Sequence, residues 1–187
     1  GANGSAVIYV VNANQLIVMI SDTSSSGRVF SGSMLAQTGT FDAGSLSGNI
    51  VVYQTANYNQ AAYEALTMSV LTLAAPDGAG NLPFTSLDVN SGGNISHTTN
   101  FSGYTYTVAA NGQATISLGS IDGGRWYMTG QNTGLMLGFD DGVSVGMILP
   151  QEAGTYTAAA ISGDYFASQV PGGSILSPYS SGIATST

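Results

Sequence analysis

Val108-Ala-Ala-Asn-Gly-Gln-Ala-Thr-Ile116 places an Asn-Gly dipeptide between two short runs of strand-forming residues. Asn and Gly both tolerate positive φ, which a two-residue hairpin turn demands, so the stretch reads as two antiparallel strands. Working outward, Tyr104-Thr-Tyr-Thr-Val108 and Ala114-Thr-Ile-Ser-Leu118 are the strands themselves. The same signature recurs along the chain. Val7-Ile-Tyr-Val-Val11 and Leu16-Ile-Val-Met-Ile20 flank Asn12-Ala-Asn14, and further strand signals lie at Val29–Leu35, Ile50–Tyr53 and Met68–Leu73. Between them stand turn formers such as Pro76-Asp-Gly-Ala-Gly80, Ser91-Gly-Gly93 and Asp122-Gly-Gly124. Only Gln60-Ala-Ala-Tyr-Glu-Ala-Leu-Thr-Met68 reads partly as helix, and a short Ala-rich piece among strands is usually overruled by pairing. The expected fold is all-β, an antiparallel barrel or sandwich of roughly eight strands per complete unit.

An internal repeat organises these strands. Ile8-Tyr-Val-Val-Asn-Ala-Asn-Gln-Leu-Ile-Val-Met-Ile-Ser-Asp22 aligns with Trp126-Tyr-Met-Thr-Gly-Gln-Asn-Thr-Gly-Leu-Met-Leu-Gly-Phe-Asp140, 118 residues later. Gly39-Thr-Phe-Asp-Ala-Gly-Ser-Leu-Ser-Gly48 matches Gly154-Thr-Tyr-Thr-Ala-Ala-Ala-Ile-Ser-Gly163 at a spacing of 115. Ser33-Met-Leu-Ala-Gln37 and Gly146-Met-Ile-Leu-Pro-Gln151 are alike between them. The repeat predicts three parts: 1–47, the last strands of a partial unit; 48–163, a complete β unit; and 164–187, the first strand of a following unit with a Pro/Ser-rich tail. Cut this way, the partial units expose strand edges, and exposed edges recruit partners.

Composition excludes several functions. Ser, Thr, Asn and Gln number 62, and with 26 glycines they make nearly half of the 187 residues. There is no Lys, and Arg28 and Arg125 are the only strong bases, so nucleic-acid phosphates and anionic membrane surfaces lack a counterpart. The net charge of −8 reflects missing bases, since the ten acids are scattered. No apolar run approaches the length of a membrane-spanning helix, and no membrane insertion is expected. With no cysteine there are neither disulfides nor thiolate metal sites. Chains of this composition are common among exported bacterial and archaeal proteins, which predicts an extracellular or cell-surface location.

Asp77-Gly-Ala-Gly-Asn81, Leu87-Asp-Val-Asn-Ser-Gly-Gly93, Phe101-Ser-Gly-Tyr-Thr-Tyr-Thr-Val108 and Asn111-Gly-Gln113 together carry a resemblance. The chain resembles the tandem β-barrel-like repeat modules of large secreted proteins from Acidobacteria and related bacteria. The resemblance covers 48–163 and both partial copies, with Gln113 standing where the pattern usually has Arg. It implies an exported, repeated antiparallel β module and no catalytic residues.

The polar residues fit no catalytic pattern. His97 is the sole histidine, in the polar stretch Asn94-Ile-Ser-His-Thr-Thr-Asn100, and nothing around it suggests a Ser-His-Asp triad. Glu64 and Glu152 are the only glutamates, and three of the eight aspartates, Asp77, Asp122 and Asp141, precede glycine in turns. No enzyme activity and no cofactor are expected. Asp77, Asp88 and Asn90 offer oxygen ligands at alternate positions, a weak calcium pattern lacking a terminal bidentate glutamate, and Asp140-Asp141-Gly142 is weaker still. Asn3, Asn94 and Asn100 match the N-glycosylation acceptor pattern. Trp126 and Tyr127 suggest packing more than a sugar platform, because Ile8 replaces the indole in the other copy.

The function expected from the sequence is structural: an extracellular subunit that self-associates into a homopolymeric filament or array by β-strand complementation. The alternatives are a lipocalin-like barrel for a small ligand, and a carbohydrate-binding or adhesin module of a tandem-repeat surface protein.

Overall fold

The computed structural model describes residues 5–21, 29–58, 66–138, 142–157, 160, 163–168 and 181–186. The chain divides into two compact units, Gly1–Thr40 and Phe41–Thr187. In the first, β1 (Ser5–Asn12), β2 (Gln15–Ser21) and β3 (Val29–Leu35) form an antiparallel sheet in the order β1-β2-β3. Asn12 Oδ1 accepts from the Asn14 N–H at 2.8 Å and fixes the turn between β1 and β2.

The second unit holds β4 (Ile50–Tyr58), β5 (Leu66–Ala74), β6 (Phe84–Ser91), β7 (Asn94–Phe101), β8 (Tyr104–Val108), β9 (Gln113–Leu118), β10 (Ile121–Gly130), β11 (Thr133–Gly138) and β12 (Gly142–Pro150). They form one antiparallel sheet in the order β7-β6-β5-β4-β12-β11-β10-β9-β8. Nine strands therefore stand where roughly eight were expected. Leu66 and Met68 belong to β5, so the Ala-rich stretch is strand at its described end, and 60–65 lie outside the described residues. A separate two-stranded sheet pairs β13 (Gly163–Ser168) with β14 (Ser181–Ser186).

The strand order is that of an up-and-down barrel, because the first strand, β4, pairs with the last, β12. The break falls between β7 and β8, which are consecutive in sequence. Phe84 pairs with Phe101 on β7, and Asn81, just before β6, bridges Thr105 on β8. β7 and β8 thus run the same way along one edge, kinked at Ser102-Gly103, where Gly103 takes φ +103°. The curled sheet closes along β8 and stays split between β7 and the β9–β10 hairpin. Phe84, Phe101 and Tyr104 clasp the split: Phe84 stacks on Phe101 at 4.9 Å and meets Tyr104 edge-on at 4.8 Å.

Alternation puts Val52, Ala56, Val70, Ala74, Ala114, Ile116, Trp126, Met128, Met136 and Ile148 inside. The segment 41–48 plugs one end of this core. Its Leu46 is fully buried, and the Tyr106 hydroxyl shares its one proton between Leu46 O at 2.7 Å and Ala43 O at 2.9 Å. Burial pushes the Tyr106 pKa up, which keeps the hydroxyl a donor. From the β10–β11 turn, Asn132 accepts from Ser47 N at 2.9 Å and donates through Nδ2 to Ser47 O at 2.6 Å. Residues 41–47, grouped with the partial unit on sequence, belong physically to the nine-stranded sheet. The repeat motif 39–48 bridges the two units, and its apolar residues fill the second.

Leu46→Ala should cost about 2–5 kcal/mol, and Tyr106→Phe about 1–3 kcal/mol. Urea unfolding followed by the fluorescence of Trp126, the only tryptophan, checks both.

Candidate assembly surface

The two copies of the repeat fold into the same ladder. Val10 pairs with Leu16 and Asn12 with Gln15, the register shifting between Val10 and Asn12. In the second copy Met128 pairs with Gly134 and Gly130 with Thr133, shifting at the corresponding place. Leu16 opposite Met34 on β3 matches Gly134 opposite Ile148 on β12, and Val18 opposite Gly32 matches Met136 opposite Gly146. β1, β2 and β3 therefore correspond position by position to β10, β11 and β12.

Burial separates the copies. Ile8, Val10 and Met34 are 53 %, 74 % and 51 % exposed, whereas their counterparts Trp126, Met128 and Ile148 are 3 %, 0 % and 0 % exposed. The same face is core in one unit and open in the other, because β10–β12 have β4–β9 curled over them. Val7, Tyr9 and Val11 on the opposite face of β1 are exposed as well, so β1 presents apolar side chains on both sides. Gly32 tells the same story. A Cβ at Gly146 would collide with the Tyr53 carbonyl and the Met136 side chain, while one at Gly32 meets nothing within 4 Å.

The nine-stranded sheet also carries an apolar outer row. Strand register sets Tyr127, Leu135, Met147, Tyr53 and Leu71 side by side across β10, β11, β12, β4 and β5. Tyr127, Met147 and Leu71 in this row are exposed. Trp126 points inward and Tyr127 outward, as neighbours on a strand must. The packing reading holds for the indole and not for the phenol.

The residues singled out for cation binding do not converge. Asp77 caps the turn before β6: Oδ1 accepts from Ala79 N at 2.8 Å and Asn81 N at 3.0 Å, and Oδ2 accepts from Asn81 Nδ2. Those bonds, the Asn81 amide foremost, hold its pKa below the ordinary aspartate value. Asp88 lies on the outward face of β6, with His97 Nδ1 on neighbouring β7 at 2.7 Å from its Oδ1. Ser86 Oγ bonds to Asp88 rather than to His97. Ser144, whose Gly142-Val-Ser-Val-Gly146 setting matches the sequence pattern of a nucleophile elbow, is fully buried within β12 rather than exposed on a sharp turn. Asn90 Oδ1 accepts from Gly93 N at 3.0 Å and caps the β6–β7 turn. Among the described residues no three His, Cys, Asp or Glu side chains gather as a metal site would require.

Asn94 and Asn100, the first and seventh residues of edge strand β7, are both exposed, and Asn3 lies outside the described residues. So do Arg28, Glu64, Asp140 and Asp141. Arg125 forms an ion pair with Asp122, whose carboxyl is held below its usual range by that guanidinium. Between β6, β7, β9 and β10 the split in the wall opens on a cavity of about 160 Å³, lined by Val52, Gln54, Val70, Thr72, Trp126 and Met136 among others. The sequence did not single out the plug or this cavity; the Tyr104-Thr-Tyr106 pattern was the available signal, since both tyrosines face inward. No helix among the described residues is long and apolar enough to cross a membrane. No protein-family model matches the chain, and no curated protein matches it.

Asp77 is ionised more readily folded than unfolded, so its caps stabilise the turn above the ordinary aspartate range of about 4 and are lost as pH falls through the lowered folded value. Asp77→Ala should therefore lower the urea midpoint at pH 7. The gap to the unsubstituted protein should close in acid below the folded pKa, as paired unfolding curves at the two pH values will record.

Proposed function

We propose that this chain is an extracellular structural protein without catalytic function, a subunit that polymerises as neighbours complete each other's β sheets. One observation carries the reading: Ile8, Val10 and Met34 are open at positions whose counterparts form the core of the other unit. Covering such side chains, already partly buried, contributes about 1–2 kcal/mol each, and an edge strand adjoining them offers backbone hydrogen bonds. A contact made by two different surfaces repeats head to tail and generates open fibres. The cell-surface location follows from the Lys-free, Cys-free composition and from the resemblance to secreted repeat modules. Two cations in the whole chain leave few attractive pairs for salt to weaken, and salt would screen the repulsion between subunits of net charge −8, so assembly should persist at high ionic strength.

A second reading has its own observation. The cavity of about 160 Å³ beside Trp126 is close in size to cavities that hold a benzene ring, which favours a small apolar ligand within the barrel. Benzene or indole titrated against Trp126 fluorescence tests it, and saturable quenching would support it. Among the described residues no side-chain cluster supports a sugar-binding or adhesin role.

Negative-stain electron microscopy of the untagged protein, beside size-exclusion chromatography at low and high salt, tests polymerisation. Fibres with a regular axial repeat are expected at both salts, and a clean monomer at both overturns the proposal. Val10→Asp should abolish the fibres and leave the Trp126-reported unfolding of the nine-stranded sheet unchanged.

A further inference from the structure

The internal repeat supplies a template for the joint between subunits, which rests on the polymer reading above. In the complete unit, the edge of β12 turned away from β11 pairs with β4: Ile148 opposite Val52, Leu149 opposite Val51, Pro150 opposite Ile50. β3 corresponds to β12, with Met34 in the place of Ile148 through its pairing with Leu16. Among the described strands β3 is the outer member of its sheet, with β2 on one side and no strand on the other. β4 also has a counterpart. The aligned Ser47-Gly48 and Ser162-Gly163 lead into β4 and β13, which puts Ala167 in the place of Val52 and Phe166 in the place of Val51. Among the described strands β13 is likewise an outer one, paired on one side with β14.

We propose that β3 of one copy pairs antiparallel with β13 of the next copy, Met34 opposite Ala167 and Leu35 opposite Phe166. The occupant of the free edge is a second copy of this chain, because its own sequence carries the strand whose counterpart fills that position in the complete unit. The new ladder joins β1-β2-β3 to β13-β14 in the order β1-β2-β3-β13-β14, the counterpart of β10-β11-β12-β4-β5 in the nine-stranded sheet. Gly32 fits the same scheme. Its counterpart Gly146 has no room for a Cβ because the carbonyl of Tyr53 on β4 lies against it. Gly32 has open space where Ser168 of the neighbour would stand, the position matching Tyr53.

The pair Ile148–Val52 is a non-hydrogen-bonded one, since Gln151 N donates to Asn49 O three and three residues further along the two strands. At such positions the side chains come closest, so cysteines at Met34 and Ala167 fall within disulfide reach. The chain has no cysteine of its own. Full-length Met34→Cys and Ala167→Cys single variants are mixed and oxidised. A reducible heterodimer should form in at least tenfold excess over the product of Met34→Cys with Phe166→Cys, whose cysteines face opposite sides of the ladder. The Met34→Cys/Ala167→Cys double variant should give a ladder of multimers on a denaturing gel.

Fibres without the in-register link, or with the shifted pair linking as well, overturn the register and leave the polymer reading standing. A double variant that links only within one chain overturns the partner as a second copy. Absence of fibres in the unsubstituted protein overturns the polymer reading itself. Gly32→Ala is the complementary variant: unfolding is expected unchanged, because the added methyl meets nothing, while fibre formation is lost. Fibres at wild-type abundance with Gly32→Ala would overturn the joint.

Discussion

The ladder between β4 and β12 is the constraint on which the rest of the second unit depends. It pairs nine residues with nine, from Ile50–Pro150 to Tyr58–Gly142, and joins the first strand to the last. Without it the chain would be two separate meanders, β4 to β7 and β8 to β12, each with an apolar face towards water. With it the sheet curls, the two faces meet, and Trp126, Met128 and Ile148 leave solvent. Pro150 is tolerated at its end because the paired backbone groups there belong to its neighbours, with Gln151 N reaching Asn49 O at 2.9 Å. The first unit has the same three strands as β10–β12 and lacks this one ladder within its sheet, which accounts for the difference in burial between copies of the same motif.

The sequence made the all-β class and the ladder correspondence legible for different physical reasons. Asn111-Gly112 announces its hairpin because both residues favour turns, yet only Gly112 takes positive φ, +81°. The loop spans three residues, 110–112, with Gly112 N donating to Ala109 O, rather than the two-residue turn expected. The repeat is readable because aligned turns and strand lengths preserve register over both copies. β6 and β7 were hidden: Phe-Thr-Ser-Leu-Asp-Val-Asn-Ser and Asn-Ile-Ser-His-Thr-Thr-Asn-Phe are too polar to read as strands. They pair all the same, one as the outermost strand with its side chains in water, where polarity costs nothing. Two of the weak calcium candidates, Asp88 and Asn90, sat on one of these strands, where alternation turns both outward and leaves them to His97 and a turn N–H. The plug was hidden too, since 41–48 has no period and Leu46 is its single fully buried apolar residue, with Phe41 and Ala43 only partly buried against the core. The open face of β1–β3 was legible only as an expectation of exposed edges. Which side chains would be open follows from comparing the two copies in three dimensions.

Turn chemistry explains much of a composition rich in Asn, Asp and Gly and poor in other charges. Asn12, Asp77, Asn111 and Asp122 each accept from the N–H two residues on, and Asn90 from the N–H three residues on. The same device therefore recurs at turn after turn, satisfying a backbone donor where the ladder ends. Charged contacts contribute little by comparison: Asp122 pairs with Arg125 and Asp88 hydrogen-bonds to His97, both through exposed carboxylates. The fold rests on ladders, capped turns and an apolar interior.

The plug has a mechanical meaning. Ile50 and Pro150 are opposite one another at the same end of β4 and β12, so the second unit receives and returns the chain at neighbouring points. Tension applied along the chain would peel β4 from β12 one rung at a time, the geometry in which a β ladder resists force least. The plug lies between the pulled chain and the first rung. The Tyr106 hydroxyl, the Asn132 amide, the Gln131 amide and the Ser47–Asp77 bridge all hold it across the barrel end. Several bonds must then break together before the first rung is loaded, and segment 41–48 acts as a latch that converts a zipper into a shear-resistant coupling.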